Sequence, residues 1–138
     1  MRLIRFMGLE EAEKYLDGEV LENHTDWSAQ AKTASKGFCF FPADPPPETR
    51  LHYLSGVVDF DIVAEFEVSD VVVLKKSKGQ YRDPDEELPD LWAALTQPVK
   101  TFKTTEYSLE SYSKKTLRLI RLGAVIMRKQ DWAIVWGC

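Results

Sequence analysis

Glu106 and Glu110, in "TTEYSLESYS" over 104–113, are the only carboxylates between Asp90 and Asp131. A carboxylate set in a strand can be a solvated side chain paired to a neighbouring base such as Lys103, or it can steady a positive charge that develops in a reaction. Arg5, in "RLIRFMG", is a second candidate, because a guanidinium can grip phosphate oxygens bidentately. Cys39 with His24 or His52 forms the only thiol–imidazole combination, and the apolar neighbours of Cys39 in "GFCFF" point instead to a buried, unreactive thiol.

Other chemistries lack their residues. The sequence contains no GxxxxGK[ST], no GxGxxG opening a helix after a strand, and no GxSxG. It has no CxxC, HxxxH or HExxH spacing, so no metal site is expected. Two cysteines, Cys39 and Cys138, are too few for a disulfide scaffold.

The elements that must hold these residues follow from pattern. "RLIRFMG" reads as a first strand and "LEEAEKYLDG" as an amphipathic helix. Leu9, Ala12, Tyr15 and Leu16 share its apolar face, and Gly18 suits the residue just past its end. "KGFCFFP" reads as an aromatic strand, and the three prolines of "ADPPPETR" stiffen a loop. "RLHYLSG" reads as a short helix. In "VVDFDIVAEFEV", alternation sends Ile62, Ala64, Phe66 and Val68 to one face and Val63, Glu65 and Glu67 to the other. "DVVVLKK" is predicted as a further strand, "SKGQYRDPDEELPD" as a loop and "PDLWAAL" as a short helix. "VKTFKTTEYSL", "KTLRLIRLG", "AVIMRK" and "WAIVWG" read as strands, with 111–122 alternatively helical.

The sum is six to eight strands and two or three short helices in one domain, 1–138. Strands and helices do not alternate regularly. The fold class is therefore α+β, with a mostly antiparallel, split or barrel-like sheet. No apolar run is long enough to span a membrane, and "MRLIRFMGLEEAEKYL" turns polar too soon for a signal peptide, so the expected location is cytoplasmic.

Charge is uneven. Residues 1–69 carry 13 acids and 6 bases, residues 70–138 carry 9 acids and 12 bases, and the whole chain is at −4. That balance argues against a general nucleic-acid binder and leaves room for a local anion site in the second half.

The order of an Arg on the first strand, "TASKGFCFFP", and a Glu after a Thr pair in "TFKTTEYSL" resembles the ADP-ribosyltransferase superfamily, including its mono-ADP-ribosylating toxins. The resemblance runs loosely over residues 3–122. It implies an ADP-ribosyltransferase-like core that uses NAD as substrate, without a metal, and modifies a protein or nucleic-acid acceptor. In that reading Glu106 is the catalytic acid. Arg5, Ser35, Gly37, Phe38 and Tyr53 would contact or shape the NAD site. Two departures are plain: the Ser-Thr-Ser triplet is missing, and Thr104 stands where arginine-modifying members carry an acid or Gln.

A rival reading needs no catalysis. A small interaction protein, such as a phage or mobile-element factor that blocks a host protein, could use the basic stretch 99–129. There Lys100, Lys103, Lys114, Lys115, Arg118, Arg121, Arg128 and Lys129 face only Glu106 and Glu110. The two readings differ in geometry: the enzyme requires Arg5 and Glu106 in one cleft beside Phe38.

Overall fold

The computed structural model describes residues 1–22, 37–51, 60–82, 101–128 and 131–137. Ser35, Tyr53, His24, His52, Lys100, Lys129 and the predicted helix "PDLWAAL" lie outside these residues.

Nine strands, one α-helix and one 3₁₀ turn are seen among the described residues. In chain order they are β1 (Arg2–Met7), α1 (Leu9–Leu16), β2 (Leu21–Glu22), β3 (Phe38–Pro42), the 3₁₀ turn (Pro47–Arg50), β4 (Ile62–Val68), β5 (Lys75–Arg82), β6 (Thr101–Leu109), β7 (Ser111–Tyr112), β8 (Leu117–Arg128) and β9 (Asp131–Trp136). Seven strands form one sheet in the order β5-β6-β3-β1-β4-β8-β9, and β2 pairs with β7 separately. Every pairing is antiparallel. The mostly antiparallel α+β class stands. Among the described residues the seven strands are continuous, their end strands β5 and β9 do not pair with each other, and the β2–β7 pair stands apart.

Strand parity divides the core in two. Leu3, Met7, Phe38, Phe40, Ala64, Phe66 and Leu117 turn toward α1, where Ala12, Tyr15 and Tyr112 close one cluster. Ile4, Phe6, Phe41 and Val63 point to the opposite face, which Leu51 at the end of the 3₁₀ turn helps to cover. The two faces read from "DIVAEFEV" are those observed, except that Glu65 is buried and ion-paired to Arg121.

α1 is tied down by Tyr15, whose Oη donates to the Leu117 carbonyl at 2.6 Å. Its end is a Schellman motif: Gly18 N–H bonds the Tyr15 carbonyl, Glu19 N–H bonds that of Lys14, and Gly18 takes φ +83°. The expected four-residue apolar face is narrower than read. Ala12 and Tyr15 are buried, whereas Leu9 and Leu16 are 54% and 45% exposed.

Other elements also depart from expectation. A 3₁₀ turn forms over Pro47–Arg50, where proline pre-sets the first helical φ, Leu51 after it is helical, and residues 52–56 of the predicted helix "RLHYLSG" lie outside the described residues. The predicted strand "DVVVLKK" is a turn and extended connection up to Leu74, and the predicted loop "SKGQYR" is most of β5. β-branched residues favour strands only where a neighbouring strand gives them a surface to pack on. That neighbour, β6, pairs with Lys75–Arg82 along its whole length. Residues 111–112 and 117–122 are strand, not helix.

Candidate functional site

Parity also decides where the candidate residues go. Arg5 shares the α1 face with Leu3 and Met7. Its Nε and Nη2 donate to the two carboxylate oxygens of Glu11 at 2.6 and 2.7 Å, and Nη1 donates to the Cys39 carbonyl at 3.0 Å. The guanidinium also lies 4.9 Å from the Phe38 ring centroid and 5.7 Å from that of Phe40. Tyr112 Oη donates to Glu11 at 2.5 Å. Burial acts against the Arg5 charge, but the Glu11 bond and field prevail and the guanidinium holds its proton more tightly than usual. The same burial, with Glu11 beside it, pushes the Tyr112 phenol upward. Glu11 therefore fills the fork with which Arg5 would grip a phosphate.

Glu106 lies on the other face. Phe40 pairs with Tyr107, so Tyr107 shares the α1 face and Glu106, one residue earlier, points away from it. Glu106 is only 9% exposed. It is neither solvated nor on the side of the strand that carries Lys103. Its carboxylate accepts from Tyr81 Oη and lies over Gly79, where a Cβ would collide with it. Cys39 is beside it, and burial first, then the Glu106 charge, push that thiol up to about 12. Nearby on this face Arg50, 2% exposed, donates from Nη1 to Thr104 Oγ1 at 3.0 Å and sits 4.9 Å from the Phe41 ring centroid. Glu110 is exposed at the turn after β6, as read.

The structure thus brings Arg5 and Phe38 together and separates both from Glu106 by the thickness of the sheet. Gly37 adjoins them for a backbone reason. It has φ +144°, and a Cβ there would stand 2.7 Å from the Leu109 carbonyl oxygen, so glycine lets β3 approach the end of β6.

A third grouping, on the α1 face of β5 and β6, belongs to solvent. Register sets Lys76 opposite Tyr107, Lys78 opposite Thr105 and Gln80 opposite Lys103. Lys76, Lys78 and Lys103 are exposed, and among the described residues none of them makes a salt bridge. Same-face residues along a strand are roughly 7 Å apart, so the three cations form a lane. The lane leads into two adjoining clefts of about 420 and 430 Å³. Val68, Val72, Leu74, Lys76 and Tyr107 line the first, Lys114, Lys115, Arg118 and Glu67 line the second, and Asp70 lines both.

The basic surface read over 99–129 is accordingly redistributed. Lys103 joins β5. Lys114, Lys115 and Arg118 stand at the sheet's end. Arg121 is taken up by Glu65, at 3.0 Å, and by the Trp136 ring, whose centroid is 3.6 Å away. Sequence reading missed Lys76 and Lys78 because β5 was taken partly as a loop. The available signal was their spacing by two. Among the described residues no helix is long and apolar enough to cross a membrane.

Compared with protein-family models, curated proteins and solved structures, the chain matches none.

Proposed function

We propose that the chain is a non-catalytic interaction module that engages an anionic partner through the Lys76, Lys78 and Lys103 face of β5 and β6. The observation that carries this reading is the register of three exposed lysines on one face, with no described carboxylate bonded to them. Cations held a few ångströms apart on a rigid sheet raise the local concentration of anions and steer their approach. The test compares Lys78→Glu with Lys14→Glu, which changes net charge equally on α1. Binding of labelled polyaspartate at low salt is expected to fall about tenfold in the first variant and little in the second. Equal losses would mean that net charge, not this surface, drives binding.

A second reading, an ADP-ribosyltransferase-like core that cleaves NAD, is supported by one feature: Glu106 is a buried strand carboxylate held by a phenol. A fixed carboxylate can stabilise the positive ribose formed as nicotinamide departs. In this reading Arg5 has no part, since its fork is filled by Glu11, and the guanidinium on the Glu106 face is Arg50. Incubation with NAD measures it directly. Nicotinamide release that disappears in Glu106→Gln supports it, and release at the wild-type rate in that variant sinks the role of Glu106.

A further inference from the structure

The lysine lane alone would accept any polyanion. The clefts at its end are more selective. The strand pair runs Gln80 and Lys103, then Lys78 and Thr105, then Lys76 and Tyr107, and the last pair forms part of the wall of the first cleft. Val68, Val72 and Leu74 form the aliphatic part of the remaining wall, and Met1, Ser69 and Asp70 complete it. Val71 and Val73, on the connection that builds this wall, are 87% and 89% exposed. Beyond Asp70 the second cleft returns to positive charge at Lys114, Lys115 and Arg118. A chain crossing this end of the molecule would meet cations, then a hollow of aliphatic side chains with Asp70 at its edge, then cations again.

We propose, resting on the anionic-partner reading above, that the occupant is an extended acidic peptide segment with interspersed apolar side chains. Alternate side chains of an extended peptide repeat at roughly 7 Å, the spacing of Lys76 and Lys78, so successive acids can each meet one lysine. An apolar side chain of the same peptide then enters the hollow against Val72 and Leu74, where it leaves water.

Two features favour a peptide over a single-stranded nucleic acid. Nucleic acid binding draws on neutralising an unbroken line of phosphates, yet Glu67 and Asp70 line the same path. Bases need aromatic platforms, and the described hollow offers Tyr107 beside aliphatic side chains.

Fluorescence anisotropy with three labelled probes at fixed low salt tests the inference. The probes are a ten-residue Asp–Leu peptide, Asp-Ser-Asp-Ser-Leu-Ser-Asp-Ser-Asp-Ser, whose Leu shares a face with its acids, an Asp–Ser peptide with Ser in place of that Leu, and a ten-nucleotide oligothymidylate. The Asp–Leu peptide is expected to bind about tenfold more tightly than Asp–Ser, a difference of about 1.4 kcal/mol, since its leucine leaves water in the hollow. Lys76→Glu should weaken both peptides, and Leu74→Asn should erase the preference for leucine. Should Leu74→Asn fail to fold, the wild-type preference and the Lys76→Glu loss still decide.

Equal affinity for the two peptides, or an affinity for Asp–Leu unchanged by Lys76→Glu, overturns the inference. Lysine-dependent binding of the oligothymidylate alone overturns the peptide and leaves the anionic-partner reading standing. Binding of no probe ends both.

Discussion

The carboxylate of Glu106 occupies the space that a side chain on Gly79 would need. The two residues sit on neighbouring strands, Glu106 directly opposite Ser77 and Gly79 two places along on the same face. The glycine is what allows a buried carboxylate to lie flat across β5 and reach Tyr81 Oη. Gly79→Ala is therefore expected to cost about 1–3 kcal/mol through overpacking. In a Glu106→Ala background the same change should cost less than about 1 kcal/mol, because its obstacle is gone. Urea unfolding of the four chains measures both, and equal costs in the two backgrounds would refute the shared space.

Arg5 and Glu11 form a second coupled pair, with side chains only 15% and 18% exposed. Removing one partner strands the other's charge under α1. Arg5→Met is expected to lose about 3–5 kcal/mol, and Arg5→Met with Glu11→Leu markedly less than the sum of the singles. A loss below about 0.5 kcal/mol for Arg5→Met, the range of an ordinary surface change, would show that the pair is not structural.

Cys39 gives a pH signature. Its thiol rises from an ordinary 9.0 to about 12 in the folded chain, because burial and then Glu106 disfavour the thiolate. The folded state holds the proton where the unfolded chain has lost it. The resulting stability is fully present below pH 9.0 and is lost as the pH rises toward about 12. Burial shifts Tyr15 and Tyr112 upward too, so they act in the same sense. In a Cys138→Ser background, the urea midpoint should fall between pH 9 and 11, less steeply with Cys39→Ala. At pH 8 iodoacetamide should label Cys39 slowly until urea unfolds the chain. Rapid native labelling would show an exposed thiolate instead.

Legibility tracked how much each strand carries its own instruction. β4 declared both faces because Val63 against Ala64 and Phe66 is a two-residue alternation that any neighbour must respect. β5 carries lysine, serine, glycine and glutamine, whose hydropathy marks no face. It is a strand because β6 pairs with it, and Gly79 is legible only once Glu106 is known to lie over it. The valines of "DVVVL" show the converse, strong strand formers that find no strand to pair with among the described residues. For Arg5 and Glu106 the limit was topological. Alternation ties Arg5 to Leu3 and Glu106 to Ser108, but it cannot link the faces of strands whose order is unknown. That order is β1-β3-β6, and two steps of register put the candidates on opposite sides.

The position of β1 has a consequence in time. The strand formed by residues 2–7 lies inside the sheet, yet its partners are residues 41–42 and 62–67, and α1 above it is fastened to Tyr112 and Leu117. Contacts so distant in sequence must close large loops before they stabilise anything, which slows folding. A chain emerging from the ribosome would hold "RLIRFM" and "FCFFP" without their full cover until residue 117 had been made. Its early apolar strands would be open to chaperones, or to one another, until that point.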